Sequence, residues 1–188
     1  MEKKVKPGID LGLTKDDKAT LYAIARTAIE CAAHGKKPPD VEVKSEILKE
    51  NRGAFVSLHL HGNLRGCIGH IQPTRPLYKT VQDMAIAAAF QDPRFEPVRP
   101  DEIDELDIEI SVLTPMKRIE NIQEIEIGKH GIYIIKNDYH GLLLPQVAIN
   151  YGWNKKTFLE HACLKAGLPP DAWTDKDTQI YIFSADIF

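Results

Sequence analysis

The stretch from Ala54 to Ile71 limits the fold more than any other part of the chain. Ala54-Phe55-Val56-Ser57-Leu58-His59-Leu60-His61 alternates apolar with polar side chains, Gly62-Asn63 reads as a turn, and Leu64-Arg65-Gly66-Cys67-Ile68-Gly69-His70-Ile71 returns. A period of two interrupted by a turn signal predicts an antiparallel hairpin with one buried face. A lone two-stranded ribbon is marginal in water, so the hairpin needs a helix or further strands against it. The residues that follow supply both. Thr74-Arg75-Pro76 opens a helix with Leu77, Val81, Met84, Ala85 and Ala88 on its inner face, ending near Gln91. A Pro-rich loop runs from Asp92 to Pro100, and Leu106, Ile108, Ile110 and Val112 then alternate with Asp107, Glu109 and Ser111 as a half-buried strand.

The same order recurs downstream. Gly131–Lys136 reads as a strand, Asn137-Asp138 as a turn and Gly141–Leu144 as the return strand. Pro145-Gln146 starts a short helical turn, and Asn154 caps a helix carrying Phe158, Leu159, Ala162 and Cys163 up to Gly167. A second Pro-containing loop and the strand Gln179–Ser184 complete the unit. The expected fold is therefore α+β, with mainly antiparallel sheets flanked by helices and a duplicated hairpin-helix-strand unit forming two unequal subdomains. The internal boundary is expected near 114–121. Upstream, Thr14 caps a helix over about 15–34, and residues 1–13 are expected to be a flexible arm before a single domain over 14–188.

Composition narrows the function classes. The 188 residues carry 24 basic and 27 acidic side chains, a formal charge of −3, and this balance argues against bulk binding to nucleic acid or anionic membranes. No apolar run is long enough to span a bilayer, and Met1-Glu2-Lys3-Lys4 does not lead into a signal-peptide segment, so a cytoplasmic location is expected. Cys31, Cys67 and Cys163 are an odd number at wide spacings, as free thiols in a reducing compartment would be. Cys31 and Cys163 fall on helix positions that core packing explains.

Cys67 is different. Gly66 and Gly69 flank it in a segment that reads as a strand, where glycine weakens the structure and marks a bulge or a close approach by a ligand or another backbone. One reading is a bulged hairpin without a chemical role. The other is a thiol reachable by a substrate, with Arg65 nearby to stabilise a thiolate or bind an anionic group. Register bears on the choice. A two-residue turn at Gly62-Asn63 sets Cys67 opposite Leu58 on the apolar face, whereas a three-residue loop sets it opposite His59, with the imidazole as base. His59, His61 and Cys67 could also supply three metal ligands, although His at alternate strand positions is commonly just a polar face, and neither metal nor cofactor is expected.

Three more residues enter the candidate site. His130, just before the second hairpin, is a candidate base facing Cys67. Arg94, in Asp92-Pro93-Arg94-Phe95, is an anion-binding candidate as well as the natural turn partner of Asp92. Gln146 lies where a strand end meets a helix start, a common place for binding groups and for caps.

With Leu64-Arg65-Gly66-Cys67-Ile68-Gly69 in view, the chain closely resembles the AMMECR domain family, named for the Alport syndrome, midface hypoplasia and elliptocytosis chromosomal region. Asp92-Pro93-Arg94-Phe95, Glu109–Leu113, Lys129-His130-Gly131, Leu144-Pro145-Gln146-Val147, Trp153 and Lys165-Ala166-Gly167-Leu168 follow in family order, over about residues 17–188. The resemblance implies an α+β domain of two unequal subdomains. It also implies a signature cysteine suspected of an enzymatic role, and pathway partners of the Memo and radical-SAM types, beside which some members are encoded or to which they are fused. The sequence has no Cys-x3-Cys-x2-Cys cluster, so radical chemistry would belong to such a partner.

The leading expectation is an enzyme that uses Cys67 as nucleophile or covalent carrier on a small substrate. His59 or His130 would act as base, Arg65 and Arg94 would bind an anionic group, Gly66 and Gly69 would give access, and Gln146 would orient. The alternative is a binding or scaffold module for a protein or small ligand. Nucleic-acid binding is a third and weaker reading, because no basic stripe or RNP-like run is present.

Overall fold

In the computed structural model, which describes residues 7–188, Thr14 closes a reciprocal cap. Its Oγ1 accepts the Asp17 N–H at 3.1 Å while Asp17 Oδ2 accepts the Thr14 N–H at 2.9 Å, satisfying donors that a helix start leaves open. Helix α1 follows over Lys15–Ala33 and buries Leu21, Ile24, Ala25, Ala28 and Ile29 at helical spacing. A single turn, α2 (Glu46–Lys49), precedes the hairpin of β1 (Ala54–Leu60) and β2 (Asn63–His70). Helix α3 (Leu77–Phe90) and strand β3 (Leu106–Leu113) come next.

The chain divides into two compact units after Leu113. The larger comprises Leu11–Leu113 with Asp186–Phe188. Its sheet has the order β2-β1-β3-β8, where β8 is Ala185–Ile187, and all the pairings of β1 are antiparallel. One face of this sheet carries Val56, Leu58, Ile108, Ile110 and Val112 into a core shared with Leu21, Ile29, Leu77, Val81 and Ala85 of α1 and α3. Alternation sends Phe55, Ser57 and His59 to the other face.

The smaller unit comprises Thr114–Ala185 and residues 7–10 of the described chain. Its elements are β4 (Lys117–Ile119), β5 (Gly131–Lys136), β6 (Tyr139–Leu143), α4 (Pro145–Asn150), α5 (Lys155–Lys165) and β7 (Gln179–Phe183). The sheet order is β4-β7-β5-β6. Ile119, Ile132, Ile134, Leu143, Ile180 and Ile182 meet Phe158, Leu159, Ala162 and Cys163 in a separate core.

Read from its opposite edge, the second sheet runs β6-β5-β7-β4, the same order of hairpin partner, central strand and third strand as β2-β1-β3-β8. The correspondence extends to single residues. Leu58 lies between Gly66 and Ile108 in one sheet, and Ile134 lies between Gly141 and Ile180 in the other. Both glycines face a helix downstream of their hairpin, α3 for Gly66 and α5 for Gly141. A Cβ on Gly66 would overlap the Ala88 carbonyl oxygen of α3, and one on Gly141 would come within 2.6 Å of the Ala162 carbonyl oxygen of α5.

Residues 1–6 of the expected arm lie outside the described residues. The remainder of that segment is tied down: Gly8 N–H donates to Gly128 O at 2.7 Å and Ile9 N–H to Ala185 O at 2.8 Å in the smaller unit. In the larger unit Leu11 N–H donates to Asp186 Oδ2 at 3.2 Å, and Leu13 is buried. No helix among the described residues is long and apolar enough to cross a membrane.

Candidate functional site

The first hairpin has a register that neither sequence alternative contained. Leu60 pairs with Asn63, so the two-residue turn is His61-Gly62, with φ of 51° and 79°. Positive φ at both positions is what a type I′ hairpin turn requires. Leu58 pairs with Gly66 but His59 with Leu64, which leaves Arg65 as the extra residue of a β-bulge. An earlier turn and a bulge together set Cys67 opposite Ser57 rather than Leu58 or His59.

Cys67 therefore sits on the face away from the helices. The Ser57 hydroxyl donates to Cys67 Sγ at 3.2 Å, and on the other side of Ser57 its cross-strand partner is Glu109. Thiol, hydroxyl and carboxylate form one row across β2, β1 and β3, with Ser57 buried and Cys67 and Glu109 half-buried. His59 shares this face but belongs to the next row, between Leu64 and Asp107. His61 lies in the turn, exposed, with Nε2 at 3.4 Å from Glu105. Among the described residues, no group of three or more His, Cys, Asp or Glu side chains could hold a metal ion.

β2 is an edge strand, and an ion pair between the buried Asp92 carboxylate and the half-exposed Arg94 guanidinium takes the place of a further neighbour at Cys67. The Cys67 N–H donates to Asp92 Oδ2 at 2.8 Å, and Arg94 Nη2 donates to the Cys67 carbonyl at 3.3 Å. Asp92 also accepts Arg94 N–H and Nε on Oδ1, at 3.1 and 2.9 Å, and Nη2 on Oδ2 at 2.7 Å. Four accepted bonds match the lone pairs of a carboxylate. The Asp92 side chain is only 2% exposed, and the hydrogen bonds from Arg94 hold its pKa at about 2 despite the opposing cost of burial. The guanidinium pKa is raised in turn, chiefly by its bonds to Asp92. The Phe95 ring, centred 5.3 Å from Arg94 Cζ, flanks it.

Arg65, expected beside the thiol, is committed elsewhere. As the bulged residue it turns away, and its Nε and Nη2 donate to Glu102 at 3.2 and 3.0 Å while Nη1 and Nη2 donate to the Glu96 and Pro97 carbonyls. These bonds hold the buried Glu102 carboxyl below its usual range and pin the loop that follows α3. The flanking glycines also answer packing demands. Gly66 admits the Ala88 carbonyl, and Gly69 lies under the Phe55 ring, which a Cβ would overlap.

His130 and Gln146 belong to the smaller unit. His130 Nδ1 accepts the Glu126 N–H at 3.1 Å, closing the turn before β5, and burial pushes its pKa down. Gln146 is buried at the start of α4. Of the other thiols, Cys31 is half-exposed on α1, and Cys163 is fully buried on α5, where burial pushes its pKa up.

Sequence reasoning passed over Ser57 and Glu109. The signal was present, because Ser57 and Glu109 occupy the polar positions of two alternating strands. Only the register brings them into one row with Cys67.

Comparison with known proteins matches residues 22–188 to the AMMECR1 family model. A protein of Methanothermobacter thermautotrophicus is 44% identical over 186 residues, covering 94% of this chain and 95% of its own. One from Methanopyrus kandleri is 44% identical over 185 residues, covering 94% and 89%. The crystal structure of an uncharacterized protein from Pyrococcus horikoshii superposes with a TM-score of 0.85 at 42% identity, covering 89% of this chain and 88% of that one.

Proposed function

The chain belongs to the AMMECR1 family, the matched region holds every residue of the Cys67 row, and we propose that the protein is an enzyme using Cys67 as a covalent nucleophile. The observation that carries this reading comes from the duplicated fold. The row Cys67–Ser57–Glu109 corresponds, strand for strand, to Leu142–Tyr133–Tyr181 in the smaller unit. That sheet is built with apolar and aromatic side chains at the equivalent positions, so the architecture itself does not demand a thiol, a hydroxyl and a carboxylate there. A buried hydroxyl that donates to a half-exposed thiol suits a sulfur that must carry negative charge.

In the proposed reaction Sγ attacks an electrophilic carbon of the substrate. The S–C bond forms, the bond to the leaving group breaks, and its electron pair departs with the leaving group. The thiol proton is lost through solvent to the Glu109 carboxylate, which acts as base in the role expected of His59 or His130, while the Ser57 hydroxyl keeps its donated bond to the sulfur as the negative charge develops. Water or an acceptor nucleophile then cleaves the S–C bond and returns the thiol. Asp92 and Arg94 hold the Cys67 peptide on both sides, so Sγ is presented in one place.

The test is a search for covalent adducts. Wild type and Cys67→Ser are incubated with a fractionated metabolite extract and read by intact mass and peptide mapping. A mass increment confined to Cys67, absent from Cys67→Ser and slowed about tenfold in Ser57→Ala, is the expected result. Iodoacetamide should also label folded wild type at Cys67 before Cys31 and long before Cys163. Equal, slow labelling of all three with no Cys67-dependent adduct would remove the enzyme reading in favour of a binding module.

A further inference from the structure

We infer that the substrate presented to Cys67 carries an anionic group, a carboxylate or phosphate, bound by the outward edge of Arg94. The inference rests on Cys67 being the nucleophile and adds the chemical class of what it attacks.

The sequence offers two arginines as anion-binding candidates for the thiol, Arg65 and Arg94, and the structure separates them by what their donors do. Arg65 spends Nε, Nη1 and Nη2 on Glu102 and on two loop carbonyls, and its side chain is 14% exposed. It has little left to offer a ligand. Arg94 uses Nε and Nη2 on Asp92 and Nη2 on the Cys67 carbonyl, while Nη1 has no partner among the described residues. Its side chain is 50% exposed. A guanidinium has five N–H donors in a rigid fork, so two of them point outward here with their direction already set.

Preorganisation distinguishes this arginine from an ordinary surface one. Exposed arginines lose rotamer freedom when they bind, which offsets much of the gain. Arg94 has already lost it. The bidentate Asp92 bond, the Cys67 carbonyl and the Phe95 ring fix the plane of the guanidinium. Asp92 does not compete for the role of acceptor toward a ligand, because its four bonds fill it and only 2% of its side chain is exposed. Arg94 Nη2 is bonded to the carbonyl of the residue that carries the thiol, and the guanidinium and the Cys67 sulfur are near enough to interact electrostatically, so an anion held on Arg94 is held beside Cys67. A planar fork favours carboxylate or phosphate oxygens over a neutral acceptor.

Two alkylating probes of the same shape read this directly. Iodoacetate carries a carboxylate beside its electrophilic carbon and iodoacetamide carries a neutral amide. In both, Sγ displaces iodide and the thiol proton goes to solvent. At fixed pH and ionic strength, the iodoacetate-to-iodoacetamide rate ratio at Cys67 should exceed that of free cysteine by about tenfold. Arg94→Lys, which keeps the charge but loses the fork, should bring the ratio close to the free-cysteine value. In wild type, inorganic phosphate should slow iodoacetamide labelling at Cys67 saturably and leave Cys31 unaffected, an arm that does not depend on how the variant folds. Fast labelling by iodoacetamide with an ordinary ratio and no phosphate protection overturns the anionic substrate class and leaves the nucleophile in place. An elevated ratio that survives in a folded Arg94→Lys overturns the assignment to Arg94. Labelling of Cys67 no faster than Cys163 by either probe removes the nucleophile and this inference with it.

Discussion

Asp92 holds its charge inside the larger unit because every lone pair has a donor, and the same fact makes it the residue most sensitive to acid. The carboxyl has a pKa of about 2 against an ordinary 3.8, so folding favours the ionised form. A depressed folded pKa contributes stability that is fully present above the unfolded value, near 4, and is lost as pH falls toward 2. A shift of this size corresponds to about 2 kcal/mol. Asp92→Asn keeps the shape but loses acceptors and charge, and should cost roughly 2–3 kcal/mol at pH 7. Urea unfolding of both proteins from pH 7 down to 2 checks this. The gap between them should narrow below pH 4, and a gap of constant size would assign the loss to packing alone. The Asp92–Arg94 turn was readable in the sequence, since Asp-Pro-Arg is a local pattern. What the pair grips was not, because the Cys67 peptide is 25 residues away in the chain.

At the level of the element, the first hairpin shows what periodicity can and cannot deliver. Alternation identified both strands and the core face, because that signal is written every second residue. Turn and register depended on which pair of residues takes positive φ. Asn63 tolerates that conformation well, yet His61 adopts it with Gly62, and the bulge at Arg65 then moves Cys67 by one position. The two glycines beside Cys67 make separable predictions. A Cβ on Gly66 meets backbone, the Ala88 carbonyl, which moves only if α3 moves. Gly66→Ala should therefore cost about 3 kcal/mol or more. Gly69→Ala meets only the Phe55 ring, a side chain that can be shortened. Its cost, about 1–3 kcal/mol, should largely disappear in the Phe55→Leu background. Four-member denaturation cycles measure both, and a Gly69→Ala cost unchanged in Phe55→Leu would mean that backbone conformation, not the ring, requires glycine there.

For the whole molecule, element order revealed the repeated hairpin-helix-strand plan because each copy is local, about 60 residues of consecutive pattern. The return of the last residues to the larger unit's sheet was hidden, since three residues at a chain end have no period to read. They are well held. Ile110 and Phe188 exchange backbone bonds of 2.7 and 3.1 Å, extending the sheet beyond β3. Asp186, its side chain 4% exposed, takes the Lys18 ammonium at 2.6 Å and the Leu11 N–H at 3.2 Å, and Lys18 lies over the Phe188 ring. Removing Asp186–Phe188 would strip β3 of a neighbour and leave Lys18 without its carboxylate. Since β3 also carries Glu109, the consequence should reach the Cys67 row. In the chain ending at Ala185, hydrogen exchange of β3, Ile110 above all, should accelerate by about a hundredfold or more, while amides of β5 in the smaller unit keep their protection. Asp186→Ala alone should show a weaker version of the same pattern, by about 2–4 kcal/mol, because it leaves a partly buried ammonium unpaired. Peptide-level exchange measurements on the three proteins distinguish the outcomes. Unchanged protection at Ile110 would show that β3 is held by β1 alone and that the C-terminal return contributes no stability to the larger sheet.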